Sequence, residues 1–201
     1  MSLTNYSDLQ TQVGNWLARA DLTANIADFV TLFEACANRR LRTRFQENAT
    51  ATLTPDGTGK AALPADYLTW RNVVWNGSKQ QTLEYVSPSV LSGRFPSGSQ
   101  GDPVAFTIEG STLVVAPPDS TSLIFDYVAK VGALSGGTNW LMTNYPDAYL
   151  FGTLAEAYGF IGDFDKASMW AARRDAVFDE IDKLDFATKL PSGIRTEMVI
   201  V

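Results

Sequence analysis

Several stretches of this chain carry residue types that do chemistry. Asp56-Gly-Thr-Gly59-Lys60 places a lysine behind a glycine-rich turn, the arrangement that cradles phosphate. A phosphate loop also needs a glycine where Thr54 stands and a hydroxyl residue where Ala61 follows the lysine, so the stretch reads as a turn. Asp163-Phe-Asp165 spaces two carboxylates as metal ligands are spaced, yet no third carboxylate follows at calcium-loop spacing. Acids at the start of a helix, where its dipole favours them, are the plainer reading. Arg39, Arg40, Arg42 and Arg44 form the densest charged feature. They suit three roles: cations at a helix C-terminus or in ion pairs with this chain's acids, a protein–protein contact, or a contact with DNA phosphates.

Two absences narrow the chemistry. The chain has no histidine, which removes Ser-His-Asp and Cys-His catalysis and the usual zinc ligand sets. Cys36 is the single cysteine, so no intrachain disulfide or redox pair exists. It lies within a helical pattern between Ala35 and Ala37 and reads as a small packing residue. The 22 acids show no spacing that selects a catalytic pair. No cofactor or metal is expected. Trp16, Trp70, Trp75, Trp140 and Trp170 suit packing and interfaces, or a platform on which sugars stack.

These residues need a scaffold, and the most informative piece of it is Pro146–Ile161. Proline at the first helical position starts a helix cleanly, because its missing N–H has no partner there in any case. The residues that follow are apolar nearly all round, interrupted by Gly152, Thr153, Glu156 and Gly159. Such a helix must be covered on every side. At 16 residues it is shorter than the roughly 20 that span a membrane. A partner subunit is expected to cover part of it, with Tyr149, Leu154 and Tyr158 at the contact.

The pattern changes period twice. Ser7 with Gln10 marks a helix start ahead of Leu9, Val13, Trp16, Leu17 and Ala20, and Thr23 or Asn25 precedes a second helix carrying Ile26, Phe29, Val30, Phe33, Ala37 and Leu41. From Asn48 to Val131 the chain reads as short antiparallel strands. These are 49–54, 70–75, 79–84, 105–109, 112–116 and 123–129, with turns at Pro55-Asp-Gly57, Asn76-Gly77 and Gly110-Ser111 and a short helix from Ser87-Pro88. A last amphipathic helix follows the Gly162-Asp163 turn with Ala167, Trp170, Ala171, Arg174, Val177, Phe178, Ile181 and Leu184 on one stripe.

The expected fold is α+β, mainly α. Residues 1–47 and 132–185 form a helical bundle, residues 48–131 an inserted small antiparallel β module (a sandwich or open barrel), and residues 186–201 an extended C-terminal arm. Ile194 and the apolar end Met198, Val199, Ile200 and Val201 are interface candidates within that arm. Apolar residues make up 45% and charged residues 19%, with net charge −6, so the chain lacks the basic footprint of a nucleic-acid binder. The N-terminus shows no basic and apolar leader pattern, and no membrane partner is expected.

In order along the chain, YSDLQTQVGNWLARADLTANIADFVTLFEACANRRLRTR, ALPADYLTWRNVVWNG, PVAFTIEGSTLVVAPP and TNWLMTNYPDAYLFGTLAEAYGFIGD resemble the head-to-tail adaptor proteins of tailed bacteriophages. The match ends near Leu184. The resemblance implies a structural virion protein that forms a dodecameric ring beneath the portal protein, joins capsid to a downstream tail or nozzle protein, and extends the DNA channel. It implies a C-terminal arm that reaches the portal, and no catalytic residues. DNA is expected to pass an acidic wall without specific binding. Two rivals remain open from the residues alone: a carbohydrate-binding module using Trp70 or Trp75, and a carboxylate-dependent hydrolase.

Overall fold

A computed structural model describes residues 3–19, 21–96 and 98–189. The elements follow as α1 (Tyr6–Leu17), α2 (Ile26–Arg40), β1 (Ala49–Leu53), β2 (Lys60–Ala62), β3 (Tyr67–Trp75), β4 (Gln81–Thr82), β5 (Glu84–Tyr85), α3 (Pro88–Arg94), β6 (Ala105–Glu109), β7 (Thr112–Ala116), β8 (Leu123–Ala129), α4 (Trp140–Asn144), α5 (Pro146–Ile161) and α6 (Phe164–Lys189). The fold is α+β and mainly α. One compact unit comes from the two chain ends, up to Phe45 and from Val131 onward, and the other from Gln46–Lys130.

In the helical unit α1 starts two residues earlier than Ser7 and Gln10 suggest. Asn5 is its N-cap, in extended backbone, and its side-chain oxygen accepts from Asp8 N–H. Asp8 in turn accepts from the Thr4 N–H and hydroxyl, so an Asn–Asp pair closes the helix end. α2 follows a single turn of 3-10 helix at Thr23–Asn25.

α5 lies at the centre of this unit and packs against α1, α2, α4 and α6. Gly152 makes the approach of α2 possible, because a Cβ there would overlap the Phe33 ring. Phe33 stands edge-on to Tyr149 with ring centroids 4.8 Å apart and stacks on Phe178 of α6. Tyr149 and Leu154 are fully buried by these neighbours. Their expected place at a subunit contact is therefore corrected: the chain's own helices cover the faces of α5 that the sequence leaves open. Tyr158 is half-buried under Lys166, and Phe160 is the one large apolar side chain of this helix that is widely exposed, at 62%. Gly162 ends α5 in the left-handed region with φ 84°, and Asp163 N–H returns to Tyr158 O.

α6 continues to Lys189, so residues 186–189, expected in the arm, are helical. Leu184, expected on the buried stripe, is 51% exposed. Residues 190–201, which contain Ile194, Met198, Val199, Ile200 and Val201, lie outside the described residues.

The β unit holds two four-stranded sheets, ordered β1-β8-β3-β4 and β2-β7-β6-β5. Leu53, Val73, Trp75, Phe106, Leu113, Val115, Leu123 and Phe125 from both sheets share one core, which makes the unit a small sandwich. The β6–β7 hairpin turns at Gly110-Ser111 in register Glu109↔Thr112. The strand returning from Asn76 departs from expectation. It pairs with β3 over only Val74↔Thr82 and Trp75↔Gln81. At Leu83 it changes sheet, and β5 then runs parallel to β6. Among the described residues no helix is long and apolar enough to cross a membrane.

Candidate functional site

The arginine cluster grows out of the end of α2. Arg40, in the last turn, reaches across to α6 and donates to Asp179 at 2.7 Å and to Asp182 at 2.5 Å. Arg42 folds back, and its Nη1 donates to Asn38 O and Leu41 O, carbonyls that the end of the helix leaves without N–H partners. Arg44 donates its backbone N–H to Asp185 Oδ1 at 2.9 Å, while its guanidinium lies over the Phe45 ring. Burial pushes the Asp185 carboxyl upward, but hydrogen bonds from Lys189 and Arg44 outweigh it and hold the group below its ordinary value. Helix capping and intrachain ion pairing thus account for Arg40 and Arg42. Arg39 stays exposed with no hydrogen bond or ion pair among the described residues.

A second polar cluster carries no motif. Glu34 and Asn38, one turn apart on α2, receive the chain where it re-enters the helical unit. Asn38 Oδ1 accepts from Val131 N–H at 2.7 Å, and Glu34 Oε1 accepts from Leu134 N–H at 2.6 Å. The Tyr149 hydroxyl donates to Glu34 at 3.2 Å and accepts from Asn139 Nδ2 at 2.6 Å. Asn139 also bonds Gly132 O and caps α4 through Met142 N–H. Burial pushes the Glu34 carboxyl above its ordinary value, against the bonds from Leu134 and Tyr149, and burial pushes the Tyr149 phenol up as well. Each group is spent on backbone or on its neighbour. The cluster works as a clasp, and among the described residues no second carboxylate acts on Glu34 as one does in a hydrolytic pair. Among the described residues no group of three His, Cys, Asp or Glu is placed to hold a metal.

The sequence motifs resolve without a ligand. Asp56 Oδ1 accepts from Thr58 N–H, the Thr58 hydroxyl and Lys60 N–H, which folds 56–60 as a turn. Asp163 caps α6 through Lys166 N–H and pairs with the Lys166 ammonium. Trp75 is buried with its indole N–H on Asp119. Trp70 and Tyr85 are partly exposed, but they stack on one another and both meet the edge of Phe106, so each gives a face to its neighbour. Trp16, expected in the core, is 44% exposed and stands edge-on to Trp170.

The charged groups of both clusters cap helices and tie segments together, beside exposed apolar residues on the helices. The chain belongs to the SU10 adaptor protein family, whose model matches residues 4–195. It is accordingly a bacteriophage adaptor, a structural component of the virion. No curated protein shows a significant match to the chain.

The sequence singled out the arginines but missed Glu34, Asn38 and Asn139. Their only local signal is polarity at the border of the buried face of α2 and at a helix start.

Proposed function

We propose that this adaptor forms a ring, dodecameric in the virion, beneath the portal protein, where it joins the capsid to a downstream tail or nozzle protein and extends the DNA channel. The observation that carries this reading is the family match from residue 4 to residue 195, which covers both the helical ends and the inserted strands. The charge balance supports it: a net charge of −6 gives a wall along which DNA slides without sticking. Arg39, the Arg44 guanidinium on Phe45, and Trp140 stacked on Phe45 offer partner contacts on the helical unit. The segment 190–201 supplies the arm that reaches the portal. Native mass spectrometry of the protein alone, and mixed with its portal protein, tests the reading. A portal-dependent ring is expected, and the absence of any complex overturns it.

A further inference from the structure

The outward faces of α2 and α6 are unusual for solvent-exposed helices. On α2, Asp28, Leu32, Ala35 and Arg39 recur at spacings of four, three and four, and all four are exposed, Leu32 at 53%. Thr31 and Ala27 flank them, so no charge interrupts the face between Asp28 and Arg39. On α6, Met169, Arg173, Ala176, Glu180 and Leu184 recur at four, three, four and four, again exposed, Met169 at 43% and Leu184 at 51%. Residues so spaced form one stripe along a helix. Both stripes have the apolar spacing by which helices pack in register.

We propose that the α2 stripe of one copy packs against the α6 stripe of the next, and that this is the contact from which the ring is built. The inference rests on the ring reading above and names the surface that makes it. Charge decides the pairing and its direction. α2 carries its acid first and its base last, Asp28 then Arg39, whereas α6 carries Arg173 before Glu180. Laid parallel, Asp28 meets Arg173 and Arg39 approaches Glu180; laid antiparallel, like charges meet. Asp28, Arg39 and Glu180 have no ion pair among the described residues, and Arg173 only overlies the Trp170 and Phe151 rings. The charges are left for a partner.

The parallel direction is also the one that a ring demands. Within one chain Phe33 meets Phe178, Arg40 meets Asp182 and Arg44 meets Asp185, so α2 and α6 already run the same way. Rotation about an axis shared by many copies keeps the helix directions nearly unchanged between neighbours. Two different patches meeting head to tail make a heterologous contact, the kind that builds a ring where the rotation between neighbours closes.

The test uses the full chain assembled on its portal protein. Leu32→Cys with Ala176→Cys, in a Cys36→Ala background, should give a ladder of disulfide-linked oligomers on oxidation, while each single cysteine gives none. Asp28→Arg should raise the concentration for half-assembly by about tenfold or more, through like-charge contact with Arg173. Adding Arg173→Asp should restore assembly. Asp28, Leu32, Arg173 and Ala176 are exposed, so changing them should not move the thermal transition of the monomer, with the cysteine variants compared against the half-buried Cys36→Ala background alone. A wild-type ring that forms while the cysteine pair gives no ladder overturns this contact and leaves the ring reading intact. Failure of Arg173→Asp to rescue overturns it equally. If the wild-type chain makes no ring on the portal, both readings fall together.

Discussion

Glu34 Oε1 accepts hydrogen bonds from the Tyr149 hydroxyl and from Leu134 N–H, so one carboxylate ties the first turn of α5 and the incoming chain to α2. Burial nonetheless holds the folded Glu34 pKa above its ordinary value. A raised acid binds its proton more readily folded than unfolded. Its contribution is fully present below the unfolded pKa and is lost as pH rises through the folded one. Glu34→Gln keeps an acceptor oxygen and cannot titrate. Between about pH 4 and about pH 8 the melting temperature of this variant should therefore gain on that of the wild type. A gap that stays constant, or that moves the other way, contradicts the assignment.

The contact of Gly152 with Phe33 predicts a clash. Gly152→Ala places a methyl group in the Phe33 ring, and overpacking of this kind costs about 1–3 kcal/mol. Phe33→Leu removes the obstruction, so the double variant should lose less than the sum of the two single losses. Urea unfolding of the four proteins measures the coupling, and strict additivity would count against it.

Leu154 is fully buried within its own chain, which changes what its replacement tests. Leu154→Asp puts an unpaired charge into the core of the helical unit at a cost of several kcal/mol, comparable to the stability of a domain. The isolated monomer should lose its cooperative thermal transition, before any question of assembly arises. A native-like circular dichroism melt for this variant would place Leu154 elsewhere.

Arg39 and Arg40 are neighbours in sequence with different expected phenotypes. Arg40→Ala breaks exposed ion pairs to Asp179 and Asp182 and should lower stability by about 1 kcal/mol or less. Arg39→Ala should leave the melt unchanged and weaken assembly on the portal. Neither should alter DNA affinity, and a salt-sensitive gel shift abolished by Arg39→Ala would reverse that view.

Legibility followed local chemistry. The bounds of α5 were readable because Pro146 starts it and Gly162 stops it, and the β6–β7 hairpin because Gly110-Ser111 separates two clear alternations. The cap of α1 is ambiguous in the sequence because Asn5 and Ser7 are both good capping residues two positions apart, and only backbone geometry chooses Asn5. β5 was not readable as parallel, since two residues carry no period and their pairing depends on a change of sheet at Leu83. The covering of Tyr149 and Leu154 was hidden for a related reason. An apolar helix shows that it must be buried but not by which neighbours. Glu34, a lone carboxylate beside Phe33, has a role only once residues 131–139 return to it.

The end of α6 sets where the C-terminal segment can be removed without harm. Lys189 Nζ pairs with Asp185 at 2.8 Å, and Asp185 also accepts from Arg44 N–H, so a deletion starting at 187 would cut into the helical unit. Deletion of 190–201 leaves these groups in place. It also removes Pro191 and Gly193, which break helix, and the apolar run Met198–Val201. The truncated protein should melt within a few degrees of the full chain, because a change of about 1 kcal/mol moves a domain of this size by only about 2–4 °C. Its attachment to the portal, read by co-sedimentation, should be lost if an apolar end docks there as an added strand or in a groove. A truncated chain that no longer folds makes the segment part of the core. One that folds and still docks at full strength removes the arm from the portal contact.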